Sequence, residues 1–298
     1  MVRQHNERRI CLPERRGSGR LSFVRLLSHT GTERIHPLPL PDKTRVNRGS
    51  SMRSLCVASV VSLWALLSSS STLAQACPAL MRTASRLIVV TVPTLTSPVG
   101  TLRLFERRRS DAGWSVIGTA QPVTLGSRGV AWGRAFRYLA ADNEPIKIEG
   151  DKRSPAGIYA IGRPFGFAQS QLAGYLRLQP DSVCVEDPSS PAYNTITSVS
   201  SLGRSVGAQN MEAIARFRRG LIIDYPTDAA NRAGSCIFIH IQKKDPTSGT
   251  AGCLNLPEDR VAALQKFANK HPTALALLPE SALSRLGDCL PSAATESH

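Results

Sequence analysis

His240 and Cys253 are the residues whose types and spacing could do covalent chemistry. They lie in Ser235–Asn255, SCIFIHIQKKDPTSGTAGCLN, with 12 residues between them. The run Cys236–Ile241 alternates like a strand. Period-two geometry puts Cys236, Phe238 and His240 on one face and Ile237, Ile239 and Ile241 on the other. Three isoleucines suit a core, and a histidine opposite them is held rigidly, as a general base must be. Lys243–Gly252 contains Pro246, Ser248, Gly249 and Thr250 and predicts a loop that delivers Cys253 beside a glycine. Pro257–Lys270 predicts a helix. Pro257, Glu258 and Asp259 suit its first turn, and Val261, Leu264 and Phe267 recur at helical spacing. A protonated His240 and the nearby helix start are expected to lower the Cys253 thiol from about 8.5 towards neutrality. The N–H groups of Gly252 and Cys253 are expected to form an oxyanion hole, and Gly252 lets substrate approach the backbone. Such a pair alone is not diagnostic, because buried structural cysteines and satisfied core histidines are commoner. A zinc site from Cys236, His240 and Cys253 is the rival reading, and it lacks a fourth ligand. No metal and no cofactor is assigned.

The elements that must position this pair occupy only part of the chain. Its 298 residues carry 37 Lys+Arg against 22 Asp+Glu, a net +15. Residues 1–51 are arginine-rich and aperiodic, with 11 Lys+Arg and 4 Asp+Glu. They read as a start site placed too early, or as a disordered basic extension. Residues 52–76 read as a secretory signal peptide. Arg53 is its basic end, Leu55–Leu67 its apolar segment, and Ala74-Gln75-Ala76 its cleavage site. The apolar segment is too short to span a bilayer. Lipid anchoring at Cys77 is disfavoured, because a lipoprotein signal carries a larger aliphatic residue where Ala74 stands. The remaining 222 residues hold 25 Lys+Arg and 18 Asp+Glu, enough chain for one sizeable domain with a moderately basic surface. No nucleic-acid-binding motif and no later membrane-spanning stretch accompany that charge. The expected organisation is a linker over 77–84, a catalytic domain over 85–280 and a peripheral tail over 281–298.

Five of the seven cysteines follow the signal: Cys77, Cys184, Cys236, Cys253 and Cys289. An exported chain is in a disulfide-permissive compartment, and an odd count leaves at least one thiol free. If Cys253 is the working thiol, the other four can form two bridges. Three pairings are open. Cys184 with Cys236 inside the domain, and Cys77 with Cys289 joining its ends, is preferred.

Arg86–Val92 and Gly100–Glu106 predict strands, Trp114–Gly118 a third and Val123–Leu125 a fourth. Glycines 126, 129 and 133 punctuate the next connection. Glu149–Tyr159, EGDKRSPAGIY, predicts tight turns leading into a strand over Ile158–Ile161. Gly166–Tyr193 is loop-rich and suits a lid or substrate wall. Gln209–Arg219 predicts an amphipathic helix, Gly220–Tyr225 a buried strand, and Thr273–Leu278 a last strand or helix end.

These blocks, in this order, resemble the L,D-transpeptidase catalytic-domain family of bacterial cell-wall enzymes. GDKRSPAGIYAIG resembles its Gly-Asp-x-x-Thr/Ser-Pro-x-Gly-x-Tyr/Phe block. VCVEDPSSPAYN is similar to a Cys-Val-x-Asp-Pro block of one branch. GSCIFIHI…GTAGCLNL resembles the signature around the catalytic His and the nucleophilic Cys. The likeness runs from about Ser85 to Leu278. It implies a mainly β domain with a few short helices (α+β), an L,D-transpeptidase-like β-sandwich. It also implies exported work, in the periplasm or cell wall, on peptidoglycan stem peptides. Cys253 would form a thioester at the L,D bond of a tetrapeptide donor, with His240 as base, and pass the acyl group to an amine. Thr250 fills a Ser/Thr position of the signature. Asn255 stands where much of the family has Arg, which opens hydrolysis, an L,D-carboxypeptidase activity, as the alternative. Tyr193 and Asp224 are further substrate-binding candidates, with turn chemistry and strand-end capping as their bland readings. A third group that orients His240 is sought in a loop carbonyl or in a hydroxyl such as that of Ser235 or Thr250. A non-catalytic wall-binding protein is the reading from another class. A monomer is expected.

Overall fold

The computed structural model describes residues 77–203, 206–243, 245 and 248–295. The basic extension and the signal peptide fall outside the described residues. In chain order the strands are β1 Arg86–Val92, β2 Val99–Glu106, β3 Ser115–Thr124, β4 Val130–Trp132, β5 Ser154–Gly166, β6 Leu176–Arg177, β7 Ser182–Val185, β8 Ile196–Ser198, β9 Ala208–Asn210, β10 Arg219–Asp224, β11 Phe238–Ile241, β12 Leu254–Leu256 and β13 Thr273–Pro279. The helices are short: α1 Ala79–Thr83, α2 Val199–Leu202, α3 Glu258–Ala268 and α4 Ser292–Thr295. The protein is mainly β.

The large sheet runs β10-β11-β12-β3-β2-β1-β13-β5-β4, and β10 also pairs with β5. That extra pairing bends the sheet onto itself, so the expected sandwich is here a barrel-like closed sheet. The pairing with β5 covers the free edge of β10, which would otherwise invite aggregation. β8, β7 and β9 form a separate three-stranded sheet. The main core contains the β1 and β13 residues Leu87–Val90 and Ala274–Leu278, with Ile237, Ile239 and Ile241. A second cluster, Phe165, Leu178, Cys184, Met211, Phe217, Cys236 and Phe238, fills the opposite side of β11. The alternation in Cys236–Ile241 is therefore the division between two cores.

Several sequence expectations change. The third and fourth strands are one, β3, with an irregular register against β2 between Leu102 and Leu104. Pro122 is tolerated there because β3 touches β12 only at Thr124, leaving its other edge open. The predicted turn at Ser154-Pro155 is the start of β5, and the chain turns earlier, where the Asp151 carboxylate accepts the Arg153 N–H at 2.9 Å. The helix predicted over Gln209–Arg219 is β9, a turn and a 3₁₀ segment, Ala215–Arg218. Met211 and Phe217 are pulled into the second cluster, and this packing overrides the helical periodicity. The segment after Pro279 contributes Ala282, Leu283, Leu286 and Leu290 to the main core rather than lying apart. The 77–84 stretch holds α1, with Met81 buried.

Disulfides join Cys77 to Cys289 and Cys184 to Cys236. The first spans 212 residues, so in the chain-entropy account it removes much of the unfolded chain's freedom. A Cys77→Ser/Cys289→Ser double variant is expected to lose about 2–5 kcal/mol of unfolding free energy in urea titration. An unchanged midpoint would show that the bridge does not constrain the fold.

Candidate active site

β11 pairs in parallel with β12, with His240 beside Asn255 and Ile239 beside Leu254. On its other edge β11 places His240 beside Gly220 of β10, and Asn255 in turn lies beside Thr124 of β3. Neighbours in register share a face, so Gly220, His240, Asn255 and Thr124 form one row. Cys253 immediately precedes β12, two residues from Asn255 and therefore on that same face. The face is the one covered by the second core cluster, against which Cys253 packs.

His240 is only 4% exposed. The Phe217 ring meets it edge-on, centroids 4.9 Å apart, and Phe217 in turn packs on Phe165 and Phe238. The imidazole Nδ1–H donates to the Ile241 carbonyl at 2.9 Å, which leaves Nε2 as the acceptor. This backbone carbonyl is the orienting group sought among loop carbonyls and hydroxyls. The Ser235 hydroxyl donates to Glu149 and the Thr250 hydroxyl to the Cys253 carbonyl instead. Burial pushes the histidine down to about 4, opposed by the Ile241 carbonyl and helped by the charges of Arg216 and Lys243.

Cys253 is the free cysteine of the described residues. Its thiol donates to the Cys236 carbonyl at 3.4 Å. Although the residue as a whole is only half-buried, its sulfur is shut away from water, and burial pushes the thiol up to about 11. The Phe238 N–H pulls the other way, and Glu186 adds to the rise. The expected thiolate is thus replaced by a neutral thiol, with a neutral imidazole one register step away on the same sheet face. Two physical reasons account for the difference. The aromatic cluster excludes water from both groups, and β12 separates Cys253 from the start of α3 by about 10 Å of strand.

The loop that carries the thiol is pinned at several points. Thr250 N–H donates to the Leu125 carbonyl and Ser127 N–H to the Thr250 carbonyl, both at 2.8 Å. Thr250 Oγ1 accepts the Gly252 N–H at 2.9 Å and donates to the Cys253 carbonyl at 2.7 Å. Thr250 is therefore a loop clasp. The Gly252 N–H, expected in an oxyanion hole, is already engaged. Gly252 has φ +150°, and a Cβ there would lie 3.0 Å from the Arg153 carbonyl oxygen, so glycine is required. Ser154 Oγ accepts the Gly126 N–H at 2.9 Å and donates to the Cys253 carbonyl at 3.2 Å. Sequence reasoning read Ser154 as turn chemistry and missed its bond to the Cys253 carbonyl.

The other candidates divide. Asn255 is buried in the His240 row, and its Oδ1 has no donor among the described residues. Tyr193 is buried and gives its hydroxyl to Glu149 at 2.5 Å; burial, then that bond, raises it to about 12. Its hydroxyl is thus committed to Glu149, which the Ser235 hydroxyl also meets. Its neighbour Asn194 clamps the entry to β11. Its Oδ1 accepts the Cys236 N–H at 2.8 Å and its Nδ2 donates to the Tyr225 carbonyl at 3.1 Å. Asp224 ends β10 on the His240 face, but roughly 13 Å along the strand from Gly220. It lines a cavity with Asn194, Ile222, Tyr225 and Phe238, and burial raises its carboxyl. The zinc reading fails because Cys236 is spent in a disulfide.

No protein-family model matches the chain, and no curated protein is similar to it in sequence. Among solved structures, it is similar to the helical cell shape determining protein Pgp2 from Campylobacter jejuni, at 14% identity and a TM-score of 0.35, over 65% of this chain and 48% of that one. It is also similar to Bd1075 of Bdellovibrio bacteriovorus, at 16% identity and a TM-score of 0.33, over 65% and 48%. The chain spans about half the length of the solved structures it matches.

Two outcomes follow from this geometry. Cys253 alkylation by neutral iodoacetamide is expected to climb through pH 9 and level only near 11; a plateau between pH 6 and 8 would mean an ion pair. His240 binds its proton more weakly folded than unfolded, so acid favours the unfolded chain. Unfolding free energy should fall as pH drops from about 6.5 to about 4, by up to about 3 kcal/mol, and His240→Gln should flatten that slope. Separately, Thr250→Val leaves the buried Gly252 N–H unpaired and should cost about 1–3 kcal/mol in chemical denaturation. No loss would contradict the clasp.

Proposed function

We propose that this chain is an exported cysteine acyltransferase of the L,D-transpeptidase class, acting on peptidoglycan stem peptides. The observation that carries the reading is the free Cys253 on the same sheet face as the neutral His240 and one register step from it, in a loop fixed by backbone and hydroxyl bonds. Cysteine with a neutral base on rigid elements is suited to acyl transfer. The resemblance of the GSCIFIHI…GTAGCLNL block supplies the substrate class.

In the proposed reaction His240 Nε2 takes the thiol proton as Sγ adds to the carbonyl of the L,D bond. The Cys253 N–H stabilises the oxyanion. Collapse breaks the peptide C–N bond, and the imidazolium returns the proton to the leaving amine of the D-residue. A thioester remains on Cys253. An acceptor amine then loses a proton to Nε2 as it attacks, and the departing sulfur regains that proton. Because the dyad rests neutral, proton transfer accompanies attack rather than preceding it. A second reading is hydrolysis of the same thioester, L,D-carboxypeptidase activity. It is favoured by Asn255, whose unpartnered Oδ1 can accept a hydrogen bond from water in the His240 row.

The two disulfides suit an oxidising compartment, the periplasm or cell wall. Among the described residues, no helix is long and apolar enough to cross a membrane. Asp224 and Asn255 remain the substrate-facing candidates, and the working unit is a monomer.

The test is incubation of the chain from Cys77 onward with a disaccharide-tetrapeptide, followed by mass spectrometry, beside a Cys253→Ala control. A Cys253 thioester with cross-linked dimer is the expected result, and thioester with trimmed tripeptide selects hydrolysis. A folded protein with a free thiol, no adduct and no turnover would remove the substrate assignment.

A further inference from the structure

We propose that Arg216 is the carboxylate anchor of this site, holding an anionic carboxylate of the substrate beside Cys253. The substrate side of this inference rests on the reading above. Its charge side rests on the geometry alone.

Arg216 sits in the 3₁₀ segment Ala215–Arg218, next to Phe217, whose ring packs edge-on against the catalytic imidazole. That contact fixes the segment against His240. Arg216 is half-buried, and its Nε is buried with no hydrogen-bond partner among the described residues. The Arg219 Nε is likewise buried without a hydrogen bond, but both neighbouring arginines have an acidic partner. Arg218 is bonded to Glu258 through both Nε and Nη2, and Arg219 lies 3.9 Å from Glu258 and donates to Gln265 at 3.0 Å. Glu258 therefore serves the two arginines that face α3. Among the described residues no carboxylate serves Arg216.

The charge of Arg216 is felt at both reacting groups, where it favours the thiolate of Cys253 and disfavours the imidazolium of His240. Lys147 acts on Cys253 in the same sense, and what places Arg216 at the site is its position next to Phe217, which packs on His240. A partly desolvated guanidinium with an idle N–H is an unfavourable arrangement until an anion arrives. Its planar fork fits a carboxylate in bidentate fashion, which a lysine cannot reproduce. Asn255, in the row of His240, is uncharged and supplies no cation of its own. Exposed Lys243 adds a second positive charge that acts on His240.

Two carboxylates of a stem tetrapeptide carry the required chemistry: the side-chain carboxylate of the diacid residue, and the terminal carboxylate of the departing D-residue. Three substrates separate them: the free tetrapeptide, one amidated on the diacid side chain, and one amidated at its C-terminus. Arg216→Gln is expected to lower kcat/KM on the free peptide by about 10- to 100-fold, mostly through KM. On the peptide whose contacted carboxylate is amidated, wild type should already be that slow, and the substitution should do nothing more. Arg216→Lys should restore only part of the loss. Equal losses on all three peptides would overturn the proposal.

A readout that needs no peptide turnover keeps the two readings apart. Cys253 is alkylated with iodoacetate, which bears a carboxylate, and with neutral iodoacetamide. The ratio of the two rates should fall about threefold or more in Arg216→Gln and hold in Arg216→Lys. An unchanged ratio in Arg216→Gln would refute the anchor. A lowered ratio with no peptide turnover by wild type would keep the anchor and reject the stem-peptide reading.

Discussion

The parallel pairing of β11 with β12 is the constraint on which the rest of the site depends. It sets His240 beside Asn255 and brings Cys253 to the same face one step away. Parallel neighbours cannot be joined by a tight hairpin, so a crossover must return the chain to the same end of the sheet. Here the crossover is the loop from Gln242 to Gly252. It carries the thiol, and it is fastened to Leu125, Ser127 and Ser154 rather than left free. A one-residue slip of β12 would turn Cys253 and Asn255 into the main core and abolish the site. The closed sheet resists that slip, because β12 is held between β11 and β3.

Burial then sets the protonation states. The aromatic cluster of Phe165, Phe217 and Phe238 fixes the imidazole but also dries it. Desolvation disfavours each charged form, so thiol and imidazole both rest neutral. In the proposed reaction the thiolate is generated only when a carbonyl is in place. That suits an exported protein exposed to oxidants, since an unactivated thiol is oxidised slowly. The Cys184–Cys236 bridge anchors β7 of the small sheet to the lead-in of β11, so the same cover that dries the site is covalently tied to it.

Much of this was legible in the residues. Alternation in Cys236–Ile241 assigned its two faces correctly, since Ile237, Ile239 and Ile241 are core and His240 lies opposite. The strand Arg86–Val92 and the spacing of Val261 and Leu264 in α3 were equally plain. The failures have common physical causes. Gln209–Arg219 has helical periodicity, but Met211 and Phe217 gain more by entering the second cluster from irregular backbone. The thiolate expectation weighed the neighbouring groups and left out desolvation, which depends on which side chains cover the site and is not written in local sequence. Thr250 and Gly252 were placed at the site, but their hydrogen bonds to one another could not be read from composition. Arg216 left no local signal at all, because the role proposed for it rests on lacking the acidic partner that its neighbours possess.

The most direct test of this account is the protonation state of His240, read from the ¹⁵N shifts of its ring nitrogens between pH 5 and 8. The account predicts a neutral ring throughout, with the proton on Nδ1 and a bare Nε2. A doubly protonated imidazolium at pH 7 would mean that Cys253 and His240 rest as an ion pair, and the neutral-dyad mechanism would be wrong.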